Sequence, residues 1–263
     1  MKSTNAKFGL LLFLAGGISL SSCTTDAELF AGINSNMVTV DAEGSTLITD
    51  IGLKSLSTGT DALTADQSDW LKFMREEEKV AHDLYLTLSE YYATTPAFKN
   101  IARAEQNHMA AILTVLTSYA IEDPASSENG VFNNADLQAL YDTLLEKGKV
   151  SLVEALTVGA LVEETDILDL EKVYETNPGD DLKILAEALN LGSRNHLRAF
   201  ARVLNTNGVV YVPVALSADD YTAIISSGWE KGNALCTGDQ IGSGKKYGKG
   251  SGKGSGKGFM GGK

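Results

Sequence analysis

Apolar positions recur at helical spacing through the middle of the chain, and four long stretches carry the pattern. Trp70, Leu71, Met74, Ala81, Tyr85, Leu88 and Tyr92 mark the first, opened by a capping box at Thr64-Ala-Asp-Gln67. Ile101, Ile112, Leu116 and Tyr119 mark the second, which starts at Thr95-Pro96 and stops before Asp123-Pro124. A shorter helix is predicted from about Asp136 to Lys147, with Gly148 as its C′ residue. Ser151-Leu-Val-Glu154 reads as a capping box for the third long helix, through about Tyr174. Asn177-Pro-Gly breaks the chain, and the fourth long helix runs from about Asp180 to Leu204. Gly208 to Pro213 reads as extended, and Ser217-Ala-Asp-Asp220 caps a last short helix ending near Gly228. No strand pair stands out. The pattern predicts an all-α fold, a four-helix bundle with one short helix between the second and third and another at the C-terminal end.

The flanks differ in kind. Lys2 and Lys7 precede an apolar run from Phe8 to Ile18, too short to span a bilayer, and Leu20-Ser-Ser-Cys23 follows. That stretch resembles a bacterial lipobox, which implies a signal peptide over 1–22 and lipidation at Cys23. By analogy with lipoprotein sorting, Thr24 and Thr25 favour the outer membrane over the inner, with the domain in the periplasm or outside. Residues 23–65 are rich in Thr, Ser, Asp and Gly and read as a flexible tether, leaving 66–230 as the bundle domain. Residues 231–263 read as a disordered Gly/Ser/Lys tail. With Cys23 lipidated, only Cys236 remains and no intramolecular disulfide can form.

Charge narrows the function classes. The formal net charge is −12, and six Lys and no acid sit in residues 240–263, so the rest of the chain is more acidic still. Specific nucleic-acid binding, which needs clustered Lys and Arg, is disfavoured. Phosphate-loop, dinucleotide and Cys-x-x-Cys patterns are absent, and no Ser-His-Asp or Cys-His nucleophile arrangement stands out.

The chemistry concentrates on helix faces. The chain has three histidines, His82, His108 and His196, each in a different predicted long helix. Glu105 and His108 share a face with Ile101, Ile112 and Tyr119. Glu78 aligns with Met74, Ala81, Tyr85 and Leu88, which puts it inward, whereas Glu76 is expected in solvent and Glu77 at the border. Glu163 lies within the stripe Leu152, Leu156, Ala160, Ile167 and Leu170, with Glu164 beside it and Asp166 one turn on. His196 aligns with Leu185, Leu189, Ala199 and Val203. A bundle that holds two metal ions uses one Glu from each of two helices and a Glu-x-x-His pair from each of the other two. Here Glu78, Glu105, His108, Glu163 and His196 would be metal ligands, but Ser193 stands where the second pair needs Glu. The site is then mononuclear, or Asp166, Glu164 or His82 fills the gap. Glu77 and Tyr85 are further candidates for the metal or its surroundings. Such a donor set suits iron, one ion or two, with manganese or zinc as alternatives. The bland alternatives are a solvated run at Glu76-Glu-Glu78, a hydrogen-bonded core His196, and ion pairs of Glu163 and Glu164 with Arg194 and Arg198.

The segments Arg75-Glu-Glu-Glu-Lys-Val-Ala-His-Asp-Leu-Tyr85, Ile101-Ala-Arg-Ala-Glu-Gln-Asn-His108, Val162-Glu-Glu-Thr-Asp-Ile167 and Gly192-Ser-Arg-Asn-His-Leu-Arg-Ala-Phe200 resemble the DUF2202 family of ferritin-like proteins, over about residues 68–225. The Glu78, Ala81, Tyr85 spacing also resembles the first helix of rubrerythrin-like diiron proteins. The wider superfamily implies oxygen or peroxide chemistry at a diiron centre, or iron oxidation, with oxidoreductase, ferroxidase or peroxide-scavenging activity. Tyr85, Tyr92 or Tyr119 would then donate an electron or a hydrogen bond. The rival reading is a non-catalytic envelope module, metal-free or metal-sequestering, whose cationic tail contacts anionic surfaces.

Overall fold

The computed structural model describes residues 38–40, 46–49 and 62–230. The expected leader, Cys23, most of the expected tether and the Lys-rich C-terminal residues lie outside the described residues. Helix α1 spans Ala65–Tyr91, α2 Pro96–Ser118, α3 Ala135–Gly148, α4 Leu152–Glu171, α5 Asp180–Thr206 and α6 Ala218–Ser226, with a 3₁₀ turn over Lys172–Thr176. The fold is an all-α helical bundle. Two short strands accompany it, β1 (Val38–Val40) and β2 (Thr46–Ile48), antiparallel with Val38 opposite Ile48 and Val40 opposite Thr46. The sequence reading missed this hairpin inside the expected tether. Three-residue strands are too short for a period-2 signal, although Val, Thr and Ile favour them.

Local chemistry starts and stops the helices. Thr64 accepts from Gln67 N at 3.2 Å while Gln67 Oε1 accepts from Thr64 N at 2.9 Å, the reciprocal capping box that the sequence suggests. Ser151 and Ser217 cap α4 and α6 through Glu154 N and Asp220 N, both at 3.1 Å. Thr95 makes no such bond, and Pro96 alone sets the entry to α2. Gly148 is not a left-handed terminator. It is the last residue of α3, which ends on Lys149 in the right-handed region. A Cβ on Gly148 would meet Leu88 Cδ2 at 2.9 Å, so close packing explains the glycine.

Contacts across the bundle fix the helix directions. Trp70 Nε1 donates to Asp169 O, and Tyr85 Oη to Gly159 O, so α1 and α4 run antiparallel. Glu105 meets His196 while Tyr119 Oη donates to Asp181 Oδ2, so α2 and α5 do too. Short turns join α1 to α2 and α4 to α5, making those pairs antiparallel as well. Helices α2 and α4 therefore run in the same direction, and the chain between them must travel the length of the bundle. Helix α3, 14 residues long, covers about 21 Å of that return.

The core divides in two. One apolar cluster holds Leu84, Tyr85, Phe98, Leu156, Leu197 and Phe200, and the other holds Trp70, Met74, Ile112, Val115, Leu185 and Leu189. Between them every long helix presents buried polar side chains: Glu77 and Glu78 on α1, Glu105 and His108 on α2, Glu163 and Asp166 on α4, Ser193 and His196 on α5. This polar seam is where function should be sought. Among the described residues no helix is long and apolar enough to cross a membrane.

Candidate metal centre

Helical spacing brings the seam together. Glu105 and His108 lie three residues apart on α2, so both side chains leave the same face. His108 Nδ1 lies 2.8 Å from Glu105 Oε2 and 3.1 Å from Glu78 Oε2. His196 Nδ1 lies 2.8 Å from Glu105 Oε1 and 3.4 Å from Glu163 Oε2. Glu105 thus stands between two imidazoles, one oxygen to each. The rings stack with centroids 5.5 Å apart and planes 24° from parallel. Two groups of potential ligands result, Glu78 with Glu105 and His108, and Glu105 with Glu163 and His196, each with its ligand atoms within 4.8 Å of one another. None of these five residues is more than 1% exposed.

Tyr85 closes the centre on the side of the aromatic cluster, donating to Glu163 Oε1 at 2.6 Å and to Gly159 O at 3.2 Å. Its ring packs on Phe200 at 5.1 Å between centroids. Gly159 permits this approach, since a Cβ there would sit 2.6 Å from Phe200 Cε1. On the opposite side Ser193 Oγ donates to Asp166 Oδ2 and also, at 3.0 Å, to Leu189 O.

Burial and mutual charge set the protonation. Burial, then the Asp166 charge, push both Glu77 and Glu78 well above the usual carboxylate range, although His108 pulls Glu78 back. Glu163 is raised to about 7 by burial and by the Glu105 charge. Burial also opposes charge on Glu105, but His196 and His108 outweigh it and hold this carboxyl well below its ordinary value. His196 is pushed up to about 9, and His108 well above its usual value, because neighbouring carboxylates overcome the cost of burying a charged ring.

The donor set fits a cation better than it fits itself. Five buried carboxyl groups face only two imidazoles, while the nearby cations turn elsewhere: Arg75 to Asp123, Lys79 to Asp83, Arg194 and Arg198 to Glu230. Glu77 Oε2, Glu78 Oε1, Asp166 Oδ1, His108 Nε2 and His196 Nε2 are buried without a hydrogen-bond partner. His196 Nδ1 and Glu105 Oε1 sit 2.8 Å apart yet satisfy no hydrogen-bond direction. Unpaired buried carboxylate oxygens are costly, and a metal ion bound among them and the Nδ1 atoms is one way to satisfy them.

Several sequence expectations change here. Glu76 is buried rather than solvated, with Oε1 accepting from Asn133 N at 2.6 Å and Asn134 N at 3.2 Å. Glu77 is not a border residue but fully in the seam beside Asp166. His82 takes no part, because its Nδ1 is 2.8 Å from Asp83 Oδ1 on the outer side of α1. Glu164 also points away, accepting from Val214, Ala215 and Leu216 N at 2.7–3.0 Å. Arg194 and Arg198 do not bridge to Glu163 or Glu164. They clamp Glu230, the last residue of the expected bundle domain.

Comparison with known proteins agrees with this outline of the chain. The model of a family described as an uncharacterized protein domain, DUF2202, matches residues 67–228. The uncharacterized protein MJ0754 of Methanocaldococcus jannaschii is 46% identical over 171 residues, covering 65% of this chain and 92% of that one. The crystal structure of the hypothetical protein MJ0754 superposes with a TM-score of 0.64 at 44% identity, covering 65% of this chain and 98% of its own. The match spans the helical bundle and all four seam-bearing helices, and the chain belongs to the DUF2202 family.

Proposed function

We propose that the seam holds two metal ions, one at Glu78, Glu105 and His108 and one at Glu105, Glu163 and His196, with the Glu105 carboxylate shared. The observation that carries this reading is the 2.8 Å approach of His196 Nδ1 to Glu105 Oε1 outside any hydrogen-bond geometry, beside further unpaired buried oxygens. Atoms so arranged are placed as two ligands of one cation are placed. Three supports accompany it. The donors are oxygen and imidazole, which suit iron or manganese, with zinc also compatible. The helix directions give one long connection between the second and third members of the bundle, as in ferritin-like folds. The pairing of Glu105 with His108 three residues on is the di-metal carboxylate signature.

Iron held there would supply one-electron exchange with oxygen or peroxide at an open coordination position. The protein's own part is to position and to shield. Glu105 spaces the two sites, Tyr85 orients Glu163 and can pass it a proton, and Phe98 and Phe200 exclude water behind Tyr85. The function is thus metal binding with oxidoreductase, ferroxidase or peroxide-scavenging character, on a domain tethered to the bacterial envelope through Cys23.

The test uses the chain from residue 24 onward, without the lipidation cysteine. Anaerobic titration with Fe(II) should saturate at two ions per chain, and air should then change the near-ultraviolet absorbance. Glu105→Gln should abolish both. Saturation of wild type and Glu105→Gln at the same level contradicts the proposal.

A further inference from the structure

The four-helix metal pattern calls for a carboxylate from the fourth long helix, and this chain has Ser193 there. Besides Glu77, which enters the seam from α1 beside Asp166, three other acids or imidazoles compete to replace it. His82 is bound to Asp83, and Glu164 is consumed by the backbone of residues 214–216, so neither reaches the seam. Asp166 does. It is 4% exposed, it lies one turn beyond Glu163 on α4, and it accepts a hydrogen bond from Ser193 itself. Its other oxygen, Oδ1, is buried away from any amide, hydroxyl or cationic donor, with the Glu77 carboxyl beside the same side chain. The charges it acts upon are those of the proposed centre, Glu78 among them, and it is acted upon in turn by Glu105 and His108. An aspartate whose one oxygen is oriented by a hydroxyl and whose other is buried among acids has the arrangement of a ligand held from outside its coordination sphere.

Resting on the metal reading above, we propose that Asp166 supplies from α4 the carboxylate that the fourth long helix lacks, with Ser193 as the positioning residue that holds it. The exchange preserves the charge of the centre and moves its origin from one helix to its neighbour. Helices α4 and α5 pack side by side, so a shorter acid on α4 and a hydroxyl on α5 occupy the space of one longer acid on α5.

The experiment measures Mn(II) binding to the chain from residue 24 onward by equilibrium dialysis and electron paramagnetic resonance. Wild type should bind two ions with the broadened signal of a coupled pair. Asp166→Asn, which keeps shape and volume, should retain one ion with an isolated-ion signal, the second weakened on the order of tenfold or more. Ser193→Ala should weaken the second ion with Asp166 in place, and Ser193→Glu combined with Asp166→Ala should restore the pair. The metal-free Asp166→Asn variant should melt no lower than metal-free wild type, because it removes a charge from a crowded set of buried acids. Two tightly bound ions in Asp166→Asn overturn the inference and leave the metal centre standing. Loss of metal accompanied by a lower metal-free melting temperature also overturns it, since Asp166 would then be structural. A wild-type chain that binds no Mn(II) overturns the metal centre and this inference with it.

Discussion

Two imidazole nitrogens share one carboxylate at Glu105, and that competition governs how the metal-free protein meets a cation. His196 titrates at about 9 and His108 well above its usual value, so both rings are protonated at neutral pH. A metal must displace those protons. Binding of Mn(II) at neutral pH should therefore release protons, seen calorimetrically as an enthalpy that depends on the buffer, and affinity should rise with pH up to about 9. A buffer-independent enthalpy would contradict this. Stability of the metal-free chain should run the other way. Histidines and acids with raised folded values bind more protons folded than unfolded. Their stabilisation is complete below the unfolded value of each group and fades as pH rises through the folded one, ending for His196 near 9. Metal-free protein should accordingly melt lower at alkaline than at mildly acidic pH, as thermal scans across that range would reveal.

At the scale of elements, the caps and the four long periods were legible because each rests on neighbours within a few residues. Glu78, Glu105, His108, Glu163 and His196 were legible too, since phase along one helix places them beside apolar residues. Glu76 was not. Helical phase assumes one buried face, but α1 is clasped on a second side by the chain between α2 and α3, where Asn133 and Asn134 donate to Glu76 and the carbonyls of Glu128 and Val131 accept from Lys79. Residues Met74 to Ala81 are buried all round as a result. Glu164 escaped for the same reason, its partners being the backbone of residues fifty positions away. These acceptors should matter to the fold and not to the metal. Glu76→Ala removes a charged acceptor from the part-buried N–H groups of Asn133 and Asn134 and should cost about 1–3 kcal/mol in denaturant unfolding, with metal stoichiometry unchanged. Gly159→Ala should cost a similar amount, about 1–3 kcal/mol, because its methyl would meet Phe200 at 2.6 Å. It should also disturb Tyr85 and so weaken metal binding, which Glu76→Ala should not.

For the whole molecule, the arrangement is two apolar half-cores joined across a layer of buried acids and imidazoles. Such a layer is expensive without a cation, so metal binding and folding should be linked. Saturating Mn(II) should raise the melting temperature of wild type and leave that of Glu105→Gln unchanged. The C-terminal edge of the domain is closed by Glu230, whose carboxyl Arg194 and Arg198 hold below its ordinary value against the effect of burial. The lipid-anchor proposal has its own test: labelled palmitate should enter the chain in a bacterial host and fail to enter Cys23→Ala. The most direct measurement is anomalous diffraction from crystals grown with Mn(II). Two peaks should appear in the seam, one beside His108 Nδ1 and one beside His196 Nδ1, with the Glu105 carboxylate between them. A seam without anomalous density, in crystals whose surface sites have taken up manganese, would contradict the account.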